Sequence, residues 1–169
     1  MNAVTPIANL HWAIGHVPHI DSPTLDRPKA IGASVAVHGW LYLSGTPGNG
    51  RPPFRTIVDS GIHVGAGADA AAVSVFDPWL EIYYMVTGKN AAGELINAGQ
   101  QLTRTEALRL YTAENGWFTH EEDKMGTIEP GKFGDLVVLS GDFLDPKQVP
   151  DEAIKHLKSV LTVVGGRVV

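Results

Sequence analysis

Ile62-His63-Val64-Gly65-Ala66-Gly67-Ala68-Asp69 is a short apolar run that ends in small residues and a carboxylate. Asp77-Pro78-Trp79-Leu80-Glu81-Ile82-Tyr83-Tyr84-Met85-Val86-Thr87-Gly88 follows it. The first stretch predicts a strand over 62–67. The second predicts a helix over 79–87, with Asp77 as cap, proline in the first turn and Gly88 as stop. The same alternation extends upstream. Residues 12–18 read as a strand ended by Pro18. Ser22 and Pro23 open a helix that Pro28 should kink or split and Gly32 should stop. Residues 33–38 read as a second strand, and the stretch from Gly45 to Pro53 as a loop. Pro53 opens a helix through Asp59 that Gly61 closes. Downstream, Thr103-Arg104-Thr105-Glu106 is a capping box whose helix should run to about Asn115.

The 3.6-residue periodicity then disappears. Residues 125–128, 135–139, 160–164 and 167–169 read as short strands, with Gly165-Gly166 as a two-residue hairpin turn between the last pair. A short helix over 151–158, capped by Asp151, interrupts them. The fold class is therefore α/β: strands alternating with helices imply a parallel sheet covered by helices, followed by a separate β layer. The polar run Thr119 to Lys124 divides residues 1–118 from 119–169. Three parallel strands are too few for a closed barrel, which usually needs roughly 250 residues. They also leave two bare edges. The sheet is expected to be the end of a larger one, completed by a missing segment, by another chain or by self-association.

Composition removes several function classes. The 169 residues are 44% hydrophobic and 18% charged, enough to bury a core. Thirteen Lys and Arg against 18 Asp and Glu give a net charge of −5, with no basic stripe for nucleic acid. There is no cysteine, which excludes a disulfide scaffold, a zinc finger, an iron–sulfur site and a thiol nucleophile. No apolar run is long enough to span a membrane. The opening residues from Met1 to Pro6 show no secretory pattern, so a cytoplasmic chain is the default expectation. Gly65-Ala66-Gly67 lacks the third glycine of a dinucleotide fingerprint. Ser34, Ser44 and Ser74 lack a nucleophile-elbow context.

In parallel α/β sheets, ligands sit outside the carboxyl ends of the strands. That rule selects His16, His38 and Asp69. Neutral imidazole and carboxylate suit zinc or a similar divalent cation, and a carboxylate there can also accept a proton from water. Each residue has an ordinary structural alternative: a hydrogen-bonded histidine at a strand end, or an aspartate capping a turn. Trp40 and Tyr42, just beyond His38, either line a small-molecule pocket or cover the sheet. His11 has the wrong strand parity, His63 the wrong strand end, and His19, His120 and His156 fall in polar segments. The helix carrying Trp79, Tyr83 and Tyr84 reads as buried on most sides.

Several motifs together resemble the C-terminal signature of the amidohydrolase superfamily: Leu102 to Leu108, Tyr111 to Gly116, Gly126-Thr-Ile-Glu-Pro-Gly-Lys-Phe-Gly-Asp-Leu-Val-Val-Leu139, and the ending Val160 to Val169. Gly134 stands where the family motif commonly has alanine. Trp12-Ala-Ile-Gly-His16 is similar to the family's sixth barrel strand, and Gly65-Ala-Gly-Ala-Asp69 to its eighth. The branch closest in character is type 3, which includes formamide deformylase-like proteins.

The resemblance implies a partial TIM barrel, strands six to eight, followed by a small β-sandwich-type layer. It implies metal-assisted hydrolysis of a non-peptide carbon–nitrogen bond in a small amide-like substrate, with a divalent metal, zinc first, as cofactor. Asp69 would be metal ligand and general base, and His16 a ligand or transition-state contact. His38 and Trp40 are the expected substrate-binding residues. The first-strand His-x-His, the fourth-strand carboxylate or lysine and the fifth-strand histidine have no counterpart here. The 169-residue chain alone is therefore expected to be inactive. The competing expectations are a non-catalytic truncated module, an interaction subunit pairing through its sheet edge, and a small ligand-binding domain built on Trp40 and Tyr42.

Overall fold

A computed structural model of the chain describes residues 4–71 and 73–169. Residues 1–3, where the reading of the amino terminus starts, and Ala72 lie outside the described residues. Three short strands, β1 (Ala13–Gly15), β2 (Ser34–His38) and β3 (Val64–Gly67), form a parallel sheet in the order β1-β2-β3. The connecting helices are α1 (Ser22–Ala30), the single turn α2 (Leu41–Ser44) and α3 (Phe54–Asp59). After β3 come α4 (Pro78–Thr87) and α5 (Arg104–Tyr111), then a 3-10 turn over Asn115–Thr119. The chain ends in β4 (Leu136–Leu139), a 3-10 turn over Asp151–His156, β5 (Ser159–Val164) and β6 (Arg167–Val168). Among the described residues, no helix is long and apolar enough to cross a membrane.

The core forms where α4 lies among its neighbours. Glu81 through Met85 are all buried, so this helix is enclosed on every side rather than along one stripe. Tyr83 packs edge-on against Tyr42, and Tyr84 against Phe54. The Tyr84 hydroxyl donates to the Arg51 carbonyl at 2.8 Å, and buried Asn97 donates to the Pro52 carbonyl at 2.9 Å. These bonds pin the proline-rich loop before α3. Phe143, Val149, Ile154 and Leu157 from the last third join the same cluster of buried residues.

Local caps explain most boundaries. Asp77 accepts from the Trp79 amide at 2.9 Å and Gly88 closes α4 in the left-handed region. Thr103 and Glu106 form the reciprocal capping box of α5. The cap of α1 is Asp21, not Ser22: its carboxylate accepts from the Thr24 amide at 2.9 Å. Helix α1 also runs through Pro28 as one helix. β1 stops at Gly15, short of the expected 18, because His16 takes a left-handed φ of 53°. Helix α5 stops at Tyr111, short of Asn115, because Thr112 leaves helical geometry and its hydroxyl bonds back to the Leu108 carbonyl.

The C-terminal sheet is antiparallel in the order β4-β5-β6. Val164 pairs with Arg167 across the Gly165-Gly166 turn, and both glycines have positive φ, as a twisted two-residue hairpin requires. Gly134 has a steric reason. A Cβ there would stand 3.1 Å from the Gly166 nitrogen, whose N–H donates to the Gly134 carbonyl at 3.0 Å. The strand expected over 125–128 is absent. Gly126 turns at a φ of 91°, and the Met125 amide bonds locally to the Glu121 carbonyl instead of to a ladder. The segment expected as a helix over 151–158 is a 3-10 turn. Asp151 does not cap it; its carboxylate pairs with Arg104 at 2.6 Å. Among the described residues this layer is one sheet, and a sandwich requires a second.

Candidate functional site

His16 follows β1, His38 closes β2 and Asp69 follows β3, so all three lie at the carboxyl edge of the sheet. The parallel register makes this a consequence of the fold: Gly15 pairs with Ala36, and His38 with Gly67. His16 Nε2 lies 3.3 Å from Asp69 Oδ2. The His16 and His38 rings stack with centroids 4.4 Å apart and planes 28° off parallel. The His38 ring also covers Gly67, where an added Cβ would touch its Cδ2 and Nε2 at 4.0 Å. His16 and Asp69 are open to solvent, with side chains 57% and 35% exposed.

His38 differs from His16. Its Nδ1 is buried and has no hydrogen-bond partner among the described residues. Burial lowers the pKa of this imidazole, the neighbouring His16 lowers it further, and Asp69 acts in the opposite direction. His38 is thus biased toward the neutral form. His16 and Asp69 both adopt left-handed backbone conformations, with φ of 53° and 49°. Aspartate and histidine visit this region more readily than most side chains, yet it still costs free energy.

Ligand distances of about 2.0–2.2 Å put the donors of a tetrahedral site about 3.3–3.6 Å apart. The His16–Asp69 separation of 3.3 Å fits one edge of such a tetrahedron. The pair supplies half of a coordination shell. Among the described residues no group of three or more His, Cys, Asp or Glu gathers as a ligand set. His38 meets His16 by its ring face, so the three residues adjoin without forming the three-ligand cluster.

Trp40 is half-buried against the core at the start of α2. Tyr42 is 7% exposed and belongs to the core, which removes it as the wall of an open pocket. His11 and His63 sit at the opposite, amino end of the strands, His11 stacked on Trp117 and His63 tilted against it. His120 is exposed and stacks on His11, and His19 and His156 are exposed.

Sequence reasoning missed Glu81. It reads as one acid in an apolar helix, yet it is fully buried. Its Oε2 accepts from the Gly39 amide at 3.0 Å and the Tyr111 hydroxyl at 2.6 Å. Its Oε1 accepts from the Ser74 hydroxyl. Burial raises the Glu81 pKa. The bonds from Ser74, Tyr111 and Gly39 oppose that shift, and the charge of Asp69 adds to it. The available signal was a lone carboxylate in a helix otherwise patterned for complete burial.

A parallel sheet covered by helices, with imidazole and carboxylate at its carboxyl edge, defines an α/β protein. The amidohydrolase family model matches residues 2–169, and the chain belongs to that family. It is 33% identical over 121 residues to YtcJ of Bacillus subtilis (strain 168), a protein named as an amidohydrolase, covering 69% of this chain and 22% of that one. It is 27% identical over 114 residues to the N-substituted formamide deformylase of Arthrobacter pascens, covering 68% and 20%. The chain thus spans about a fifth of the length of these relatives. A structure of a mutant atrazine chlorohydrolase, TrzN, from Arthrobacter aurescens TC1, complexed with zinc and atraton, superposes with a TM-score of 0.68 at 20% identity. That match covers 92% of this chain and 35% of the other.

Proposed function

We propose that the chain is the portion of a metal-dependent hydrolase that contributes barrel strands six to eight, as β1–β3, and the C-terminal β layer from residue 119 onward. The reaction class is hydrolysis of a non-peptide carbon–nitrogen bond in a small amide-like substrate. The observation that carries this reading is the His16–Asp69 pair, held at a ligand-to-ligand spacing at the carboxyl ends of β1 and β3. Membership of the amidohydrolase family supports it.

His16 Nε2 and Asp69 Oδ2 would hold the cation, with zinc the first candidate. When bound, a divalent cation supplies Lewis acidity toward water and toward a carbonyl oxygen. Asp69 also acts as general base, accepting a proton at a carboxylate oxygen on the open side of the pair. His38 offers its imidazole to the substrate, with its pKa lowered by burial and by His16. Trp40 contributes an apolar wall beside it. The remaining donors come from another polypeptide segment or a second copy, which also covers the free edges of β1 and β3.

The chain by itself is proposed to be catalytically silent, since two donors leave half a coordination shell unfilled. A non-catalytic module is the second reading, favoured by the absence of a three-residue ligand group among the described residues. Metal content measured across the size-exclusion peak, after dialysis against zinc, decides between them. The proposal expects zinc on the wild-type chain, lost in His16→Ala and in Asp69→Asn. Hydrolysis of N-substituted formamides by the chain alone is expected to stay at the background rate. Zinc retained equally by both variants would overturn the site, and a zinc-free wild type would favour the non-catalytic module.

A further inference from the structure

We infer that Glu81 is a positioning residue: its buried carboxylate clamps the loop after β2 to the loop after β3, and thereby fixes how His16, His38 and Asp69 meet. The inference deepens the proposed reading of that edge as a metal half-site.

A fully buried carboxylate loses its hydration and is ordinarily matched by a cation. Among the described residues no Lys, Arg or His pairs with Glu81. Its three hydrogen-bond donors are instead neutral groups from three separate segments. Gly39 is the residue after His38. Ser74 forms an isolated bridge with Ala70, the residue after Asp69. Tyr111 ends α5 and anchors the carboxylate from behind.

The contacts close a circuit. One arm runs from Glu81 through Gly39 to His38, whose ring stacks on His16. The other runs through Ser74 and Ala70 to Asp69, whose carboxylate returns to His16. The approach at Gly39 is close: an added Cβ would lie 2.8 Å from the Glu81 Cβ and 3.2 Å from its Cα. Asp69 and Ala71 occupy left-handed conformations, with φ of 49° and 73°. Such conformations persist only where the surroundings impose them. The Ser74 arm supplies that constraint from within the same loop.

The chemistry of the clamp predicts which substitute succeeds. Glutamine keeps one oxygen for Gly39 and Tyr111, and its amide can donate to the Ser74 oxygen, since a hydroxyl both donates and accepts. Methionine keeps the length but leaves the Gly39 amide and the Tyr111 hydroxyl without a partner.

The test uses imidazole nitrogen–proton correlation spectra of the whole chain without metal, with His16 and His38 assigned through H16Q and H38Q. His11 and His63, at the other end of the sheet, are internal controls. Glu81→Met and Ser74→Ala are expected to move the His16 and His38 signals toward free imidazole while His11 and His63 stay in place. Glu81→Gln is expected to restore the wild-type pattern. Should Glu81→Met fail to fold, Ser74→Ala, which removes one arm only, still decides. Unchanged His16 and His38 signals in folded Ser74→Ala and Glu81→Met, or equal movement at both ends of the sheet, would overturn the inference.

Zinc titration of the same samples separates this inference from the metal reading. If zinc perturbs wild-type His16, Glu81→Met is expected to weaken that binding at least tenfold and Glu81→Gln less than twofold. If zinc leaves His16 untouched while the metal-free shifts occur, the metal reading fails and the clamp stands.

Discussion

The two ends of the parallel sheet carry the same residue type in different surroundings. At the amino end, the His11 ring lies between Trp117 and His120, with centroids 3.9 and 3.8 Å away. His63 leans on the other partner ring of that cluster, Trp117. A nitrogen of each is bonded to a backbone carbonyl: His11 Nδ1 to that of Trp117, His63 Nε2 to that of Glu114 at 3.0 Å. At the carboxyl end, His16 faces a carboxylate in the open, and His38 has a buried nitrogen with no partner among the described residues. At the amino end the imidazoles engage rings and backbone carbonyls, with His63 Nδ1 also 3.7 Å from Glu114 Oε2; at the carboxyl end they meet each other and Asp69. Position along a parallel strand, not residue type, separates the two environments.

The contrast predicts asymmetric responses to mutation. Trp117→Ala should cost about 2–4 kcal/mol, less than the largest losses for buried aromatics because the ring is only half-buried. Denaturant unfolding would measure that loss. Imidazole spectra of the folded variant should show the His16–Asp69 pair unchanged. A smaller and pH-dependent effect is expected away from both ends, where Glu152 ties the last 3-10 turn to α4. Hydrogen bonds from Lys89 and Lys155 lower its pKa from 4.5 to about 2, burial opposes them, and Tyr83 adds to the lowering. Its folded pKa lies below its unfolded one, so its contribution is present above about pH 4.5 and is lost as pH falls toward 2. Unfolding curves across that window should be flatter for Glu152→Gln than for the wild type. The smallest effect belongs to Asp69→Asn. Asparagine also tolerates the left-handed region, and the site is open, so stability should stay within about 0.5 kcal/mol of the wild type. A loss of several kcal/mol by thermal unfolding would mean that the carboxyl end holds the fold together as the amino end does.

Most of the scaffold was legible because its signals are local. Asp77-Pro78, the Thr103–Glu106 box and Gly165-Gly166 each specify a boundary within four residues. The placement of His16, His38 and Asp69 followed from strand order and direction. The parts that were not legible depend on distant partners. The amino-end stack joins His11 to residues more than a hundred positions away. Glu81 gathers donors from three segments, and nothing near it in sequence announces them. Residues 125–128 carry an apolar pattern, but a ladder needs a neighbour, and here the backbone closes on itself at Gly126. The Asp151 side chain found Arg104 rather than its own helix end.

The most direct measurement is a zinc titration of the intact chain followed by imidazole nitrogen–proton spectra, which read both ends of the sheet in one sample. The account predicts that His16 shifts saturably with zinc, that the shift disappears in Asp69→Asn, and that His11 and His63 do not move. Shifts at His11 and His63 with none at His16, or a His16 response that survives Asp69→Asn, would contradict it.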